Sequence, residues 1–63
     1  MKTYMKTYVS LVIDNNEYKK VVYAGNDFVK AKEILLDYKI NNNGLTLLVQ
    51  MWVNGEKIGS RYY

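Results

Sequence analysis

Leu45-Thr46-Leu47-Leu48-Val49-Gln50-Met51-Trp52-Val53-Asn54-Gly55-Glu56-Lys57-Ile58-Gly59-Ser60-Arg61-Tyr62-Tyr63 is the stretch that decides the fold. Asn54-Gly55 is the strongest short hairpin signal a sequence offers, because both residues accept the positive φ that a two-residue turn needs. It joins an apolar-rich strand over residues 45–53 to a second strand over residues 56–63. A turn at that point sets Val53 opposite Glu56, Trp52 opposite Lys57, Met51 opposite Ile58, Leu48 opposite Arg61 and Thr46 opposite Tyr63. Side chains alternate across a strand, so this register sends Leu47, Val49, Met51, Ile58 and Tyr62 to one face. Leu48, Gln50, Trp52, Lys57, Arg61 and Tyr63 go to the other.

Upstream, Asn41-Asn42-Asn43-Gly44 stops a helix, Gly44 being suited to a left-handed position near its end. The helix is predicted over residues 28–39, where Phe28, Ala31, Ile34, Leu35 and Tyr38 recur at helical spacing and Gly25-Asn26-Asp27 offers an N-cap. Further upstream, residues 3–13 alternate as a long half-buried strand, Asp14-Asn15-Asn16-Glu17 supplies turn chemistry, and residues 18–24 return. In this hairpin Val9, Leu11, Ile13, Tyr18 and Val22 are expected to meet the helix. Tyr4, Lys6, Tyr8, Lys19, Val21 and Tyr23 are expected to point away, with Tyr8 paired to Tyr23. Met1-Lys2-Thr3-Tyr4 recurs as Met5-Lys6-Thr7-Tyr8, and a period of four keeps both copies on one face.

The order ββαββ argues for an α+β domain: a four-stranded antiparallel sheet with one helix packed on one face, and the other face uncovered. At 63 residues, 49% of them apolar, the chain is expected to form a single domain over residues 1–63. Cys and His are both absent, which removes disulfides, thiolate metal sites, the commonest general base and the commonest metal ligand. Ser10 and Ser60, the two serines, have no base to activate them. Glu33 and Asp37 share a helix face without a third ligand and read as a solvated charged surface. The expectation is a protein without enzymatic activity and without a cofactor. With no apolar leader and no membrane-length apolar run, the cytoplasm is the expected location, that of a bacterial host cell if the gene belongs to a phage.

Function is therefore sought on the uncovered face, where the predicted binding residues are Tyr4, Lys6, Tyr8, Lys19, Tyr23, Leu48, Trp52, Lys57, Arg61 and Tyr63. Aromatic rings with Arg suit a protein interface, and Val12, Val21 and Leu48 on the same face favour a dry one, so a protein partner or a homodimer is the leading reading. The alternative is a stacking platform for single-stranded nucleic acid, with Lys and Arg on the phosphates. A net charge of +3 permits that without requiring it. Val29, Leu36 and Ile40 lie off the main helix stripe, which hints at a second contact surface; the expectation is instead that the flanks of the sheet embrace the helix there. Eight Lys, seven Asn and seven Tyr are what AT-rich codons produce. Brevity and the lack of catalytic groups add to this the general character of a phage or mobile-element accessory protein, such as an inhibitor of a host defence system.

Overall fold

The computed structural model describes residues 5–15, 17–41 and 44–63. Tyr4 and the first Met-Lys-Thr-Tyr copy lie outside the described residues. The elements are β1 (Lys6–Ile13), β2 (Lys19–Gly25), α1 (Phe28–Asn41), β3 (Thr46–Val53) and β4 (Glu56–Tyr62), which is the expected ββαββ order. All strand pairs are antiparallel and the sheet runs β2-β1-β3-β4, so the two hairpins lie side by side with β1 and β3 in the centre.

Local chemistry explains each connection. Asn54 and Gly55 have φ of 51° and 85°, the doubly positive pair expected of their turn. The first turn is one residue longer than its sequence suggests. Asp14 N–H donates to the Tyr18 carbonyl, Glu17 N–H to the Asp14 carbonyl and Tyr18 N–H to Asp14 Oδ1, so Ile13 pairs with Lys19. Asp27 caps the helix by accepting from Lys30 N–H at 3.1 Å. Its own N–H donates to the Tyr23 hydroxyl at 3.2 Å, which ties the helix start to β2. Gly44 takes φ of 81° beyond the helix.

The helix seats Ala31 and Leu35, both fully buried, on Val12, Leu47 and Val49. Tyr8, Val22, Tyr23, Phe28, Tyr38, Leu45 and Tyr63 pack around that centre. The Ser10 hydroxyl donates to the Ala31 carbonyl at 2.9 Å, and two small residues at this crossing let the helix approach the sheet closely. The helix packs over β1, β2 and β3; among the described residues it does not reach β4.

Three expectations are corrected here. In β1 the helix side is Tyr8, Ser10 and Val12, opposite Met51, Val49 and Leu47; Val9, Leu11 and Ile13 are on the uncovered side. The longer turn shifts the β1/β2 register by one residue, and one residue exchanges the faces of a strand. Second, both edge strands carry a bulge: β2 skips Val22 between Val21 and Tyr23, and β4 skips Ile58 between Lys57 and Gly59. Each bulge inverts the alternation beyond it. Tyr8 therefore pairs with Gly25, and Tyr23 with Ser10. Leu48 pairs with Tyr62 rather than Arg61, and Tyr63 N–H donates to the Leu47 carbonyl rather than meeting Thr46. Trp52 does oppose Lys57, and Val53 does oppose Glu56. Third, Tyr18, Ile58, Val29, Leu36 and Ile40 are exposed, Ile40 to 81%; the helix crosses too few strands for the sheet to embrace its outer side.

Candidate functional site

The uncovered face of the sheet can be read row by row from the pairing. Its central row crosses all four strands: Val21 of β2 against Leu11 of β1, Leu11 against Leu48 of β3, and Leu48 against Tyr62 of β4. On one side of it comes the row Ala24, Val9, Gln50 and Ser60, then Thr7, Trp52 and Lys57; on the other come Lys19, Ile13 and Thr46. The face is thus apolar through its middle, with Lys19 and Lys57 at diagonally opposite corners and, among the described residues, no carboxylate.

Leu11 and Leu48 are 9% and 4% exposed although no helix covers them. Val21 and Tyr62, at the ends of the same row, remain 57% and 66% exposed. Trp52 Nε1–H donates to Gln50 Oε1 at 3.2 Å on the same face. That bond satisfies the indole N–H two residues away along the strand and leaves the ring as half-buried apolar area.

Of the predicted binding residues, the structure brings Lys19, Leu48, Trp52 and Lys57 together on this face. Lys6, Tyr8, Tyr23, Arg61 and Tyr63 are on the helix side, and Tyr4 is outside the described residues. Tyr8 packs its ring against Phe28 with centroids 5.3 Å apart, and Tyr23 is held over the helix start by its hydroxyl, so both belong to the core. Arg61 is opposite Val49 on β4, beyond the reach of the helix, and is exposed. Sequence reasoning missed Val9, Leu11, Ile13 and Tyr62. The more apolar row of β1 was visible in the alternation, and Gly59 inside a strand is a bulge signal.

Among the described residues no group of three or more His, Cys, Asp or Glu is placed to hold a metal ion, and no helix is long and apolar enough to cross a membrane. Every buried side-chain nitrogen or oxygen described has a hydrogen-bond partner. Compared with protein-family models, with curated proteins and with solved structures, the chain matches none of them.

Proposed function

We propose that this chain is a non-enzymatic interaction protein that acts by occupying a protein surface with the uncovered face of its sheet. One observation carries the reading: β1 buries Ser10 under the helix and leaves its more apolar row, Val9, Leu11 and Ile13, on the uncovered side. Around it Val21 and Tyr62 are exposed and Val9, Ile13 and Trp52 half-buried, and a contiguous apolar face that no element covers suits a contact surface. With Tyr8 and Tyr23 in the core, the aromatics left on that face among the described residues are Trp52 and Tyr62, and the cations sit at corners rather than along a track. A nucleic-acid groove needs rings and cations in series. A protein contact needs an apolar centre and a polar rim, as here. Inhibition of a host defence component by a phage or mobile-element protein is a role of this kind, carried out by binding alone.

The test places a photo-crosslinking benzoylphenylalanine at Tyr62 and, as a control, at Glu33 on the outer side of the helix. Position 62 yields a discrete protein adduct in cells and position 33 does not. Labelled single-stranded DNA and RNA, titrated over a salt series, show no saturable, salt-sensitive binding. Binding of either strand with a steep salt slope, abolished by Trp52→Ala, would overturn the protein reading in favour of nucleic acid.

A further inference from the structure

We infer that the occupant of the uncovered face is a second copy of this chain, the two sheets packing face to face with their strands aligned. This rests on the reading of that face as a protein-contact surface; it makes the contact one between copies, so that any foreign target competes with the dimer for the same face, and three features of the face support it.

The first is the match of the central row to itself. A two-fold axis parallel to the strands, between β1 and β3, sets Leu11 of one copy against Leu48 of the other. The same operation sets Val21 against Tyr62. Small thus meets large at the two exposed ends of the row, and each end is complemented by its symmetry mate, as a two-fold interface requires; Leu11 and Leu48, already nearly buried, form the flat floor between them.

The second is the placement of charge. Lys19 and Lys57 occupy diagonal corners, and the aligned two-fold carries each away from the lysines of the other copy. A crossing near 90° brings lysine corners together, so charge selects the aligned packing that twisted sheets adopt at about −30°. A carboxylate-rich partner would be met by cations near the centre of the face, where there are none.

The third is size. Four strands about 4.8 Å apart, with seven residues rising about 3.3 Å each, make a face of about 19 by 23 Å. Its flat projection is about 440 Å² per copy, against about 800 Å² per partner in a standard interface, so the contact is of the small, readily dissociating kind. The edges are poor alternatives. β2 and β4 are both bulged, and they carry Lys19, Lys20, Glu56, Lys57 and Arg61, the features that discourage edge-to-edge pairing.

Trp52 is the single tryptophan and lies on the face in question, so its emission reports the contact. Sedimentation equilibrium and Trp52 emission are followed on dilution from about 100 to about 0.1 μM, a range that spans the affinities of interfaces of this size. The wild-type chain has the mass of a dimer at the top of the range, and its emission shifts to the red as it dissociates. Val21→Lys and Tyr62→Lys, both at exposed positions, weaken the dimer by roughly 100-fold, because the symmetry buries each new ammonium twice. Far-UV circular dichroism stays that of the wild type, and Ile40→Lys on the outer side of the helix leaves the dimer intact. A monomer throughout, or a dimer broken by Ile40→Lys and untouched by the two face variants, overturns the inference. A monomer whose residue 62 still crosslinks to another protein removes the second copy alone; a monomer that crosslinks to nothing removes the functional reading with it.

Discussion

The Ser10 hydroxyl donates to the Ala31 carbonyl at 2.9 Å, and both residues are fully buried. This crossing of β1 under α1 sets how close the helix sits and which row of β1 it covers. Removing the bond and crowding the gap are different perturbations with different sizes. Ser10→Ala deletes one buried hydrogen bond and is expected to cost about 1 kcal/mol. Ala31→Leu must push the helix off the sheet and is expected to cost about 3 kcal/mol, the upper range for overpacking. Urea unfolding at fixed protein concentration measures both, and equal losses would show that the gap is not close-packed.

Gly25 lies beneath the ring of Tyr23, where a Cβ would stand 2.6 Å from the hydroxyl oxygen and 2.9 Å from the ring carbon that bears it. Alanine there must displace the phenol that accepts from Asp27 N–H. Gly25→Ala is therefore expected to destabilise by about 1 to 2 kcal/mol, although alanine in open extended chain is normally favoured over glycine by about 0.5 to 1 kcal/mol. In a Tyr23→Ala background the obstacle is gone and the same substitution should stabilise. A double-mutant cycle reads the change of sign; a constant effect in both backgrounds would place the cost elsewhere.

How much of this was legible in the sequence depends on what each feature rests on. The element order and the second turn rest on local chemistry, and Asn54-Gly55, the Asp27 cap and the helix stripe of Phe28, Ala31, Leu35 and Tyr38 all stand where the residues put them. The faces of β1 and of the far halves of β2 and β4 rest on counting by two along a strand, and counting fails at one extra residue. Three such residues occur: one in the first turn, Val22 in β2 and Ile58 in β4. Because Val9, Leu11 and Ile13 are more apolar than Tyr8, Ser10 and Val12, hydrophobicity alone assigns the wrong row to the core. Of the residues assigned to the uncovered face, Lys19, Leu48, Trp52 and Lys57 lie on it, Lys6, Tyr8, Tyr23, Arg61 and Tyr63 lie on the helix side, and Val9, Leu11, Ile13 and Tyr62 of the face were not among those assigned.

Glu17 holds φ of 62° in the first turn. For a residue with a Cβ this left-handed conformation costs roughly 1 to 2 kcal/mol, and glycine enters it freely. Glu17→Gly is expected to stabilise the domain by about 1 kcal/mol, raising the midpoint of thermal unfolding by roughly 4 to 8 °C for a chain of this size. Glu17→Ala keeps the Cβ and removes the same carboxylate, so it should leave the midpoint nearly unchanged. An equal rise in both variants would trace the gain to lost charge and not to the backbone.

Asn54 serves two ends of the chain at once. With φ of 51° it forms the turn between β3 and β4; its Oδ1 accepts from Met5 N–H at 3.1 Å and its own N–H donates to the Met5 carbonyl at 3.0 Å. These bonds extend the β1/β3 ladder one pair beyond Lys6 and Val53, beside the row that holds Thr7, Trp52 and Lys57. Two substitutions separate the roles. Asn54→Gly keeps the positive φ and loses only the side-chain acceptor, with an expected cost of about 0.5 to 1 kcal/mol. Asn54→Ala loses the acceptor and strains the turn as well, for about 2 kcal/mol in all. Amide hydrogen exchange at Met5 should accelerate in both variants, whereas exchange within β4 should accelerate in the alanine variant alone, since there the turn itself is weakened. If Met5 exchanges at the wild-type rate in Asn54→Gly, the backbone bond from Asn54 N–H is sufficient to hold the start of β1, and the side chain is kept at this position for its φ alone.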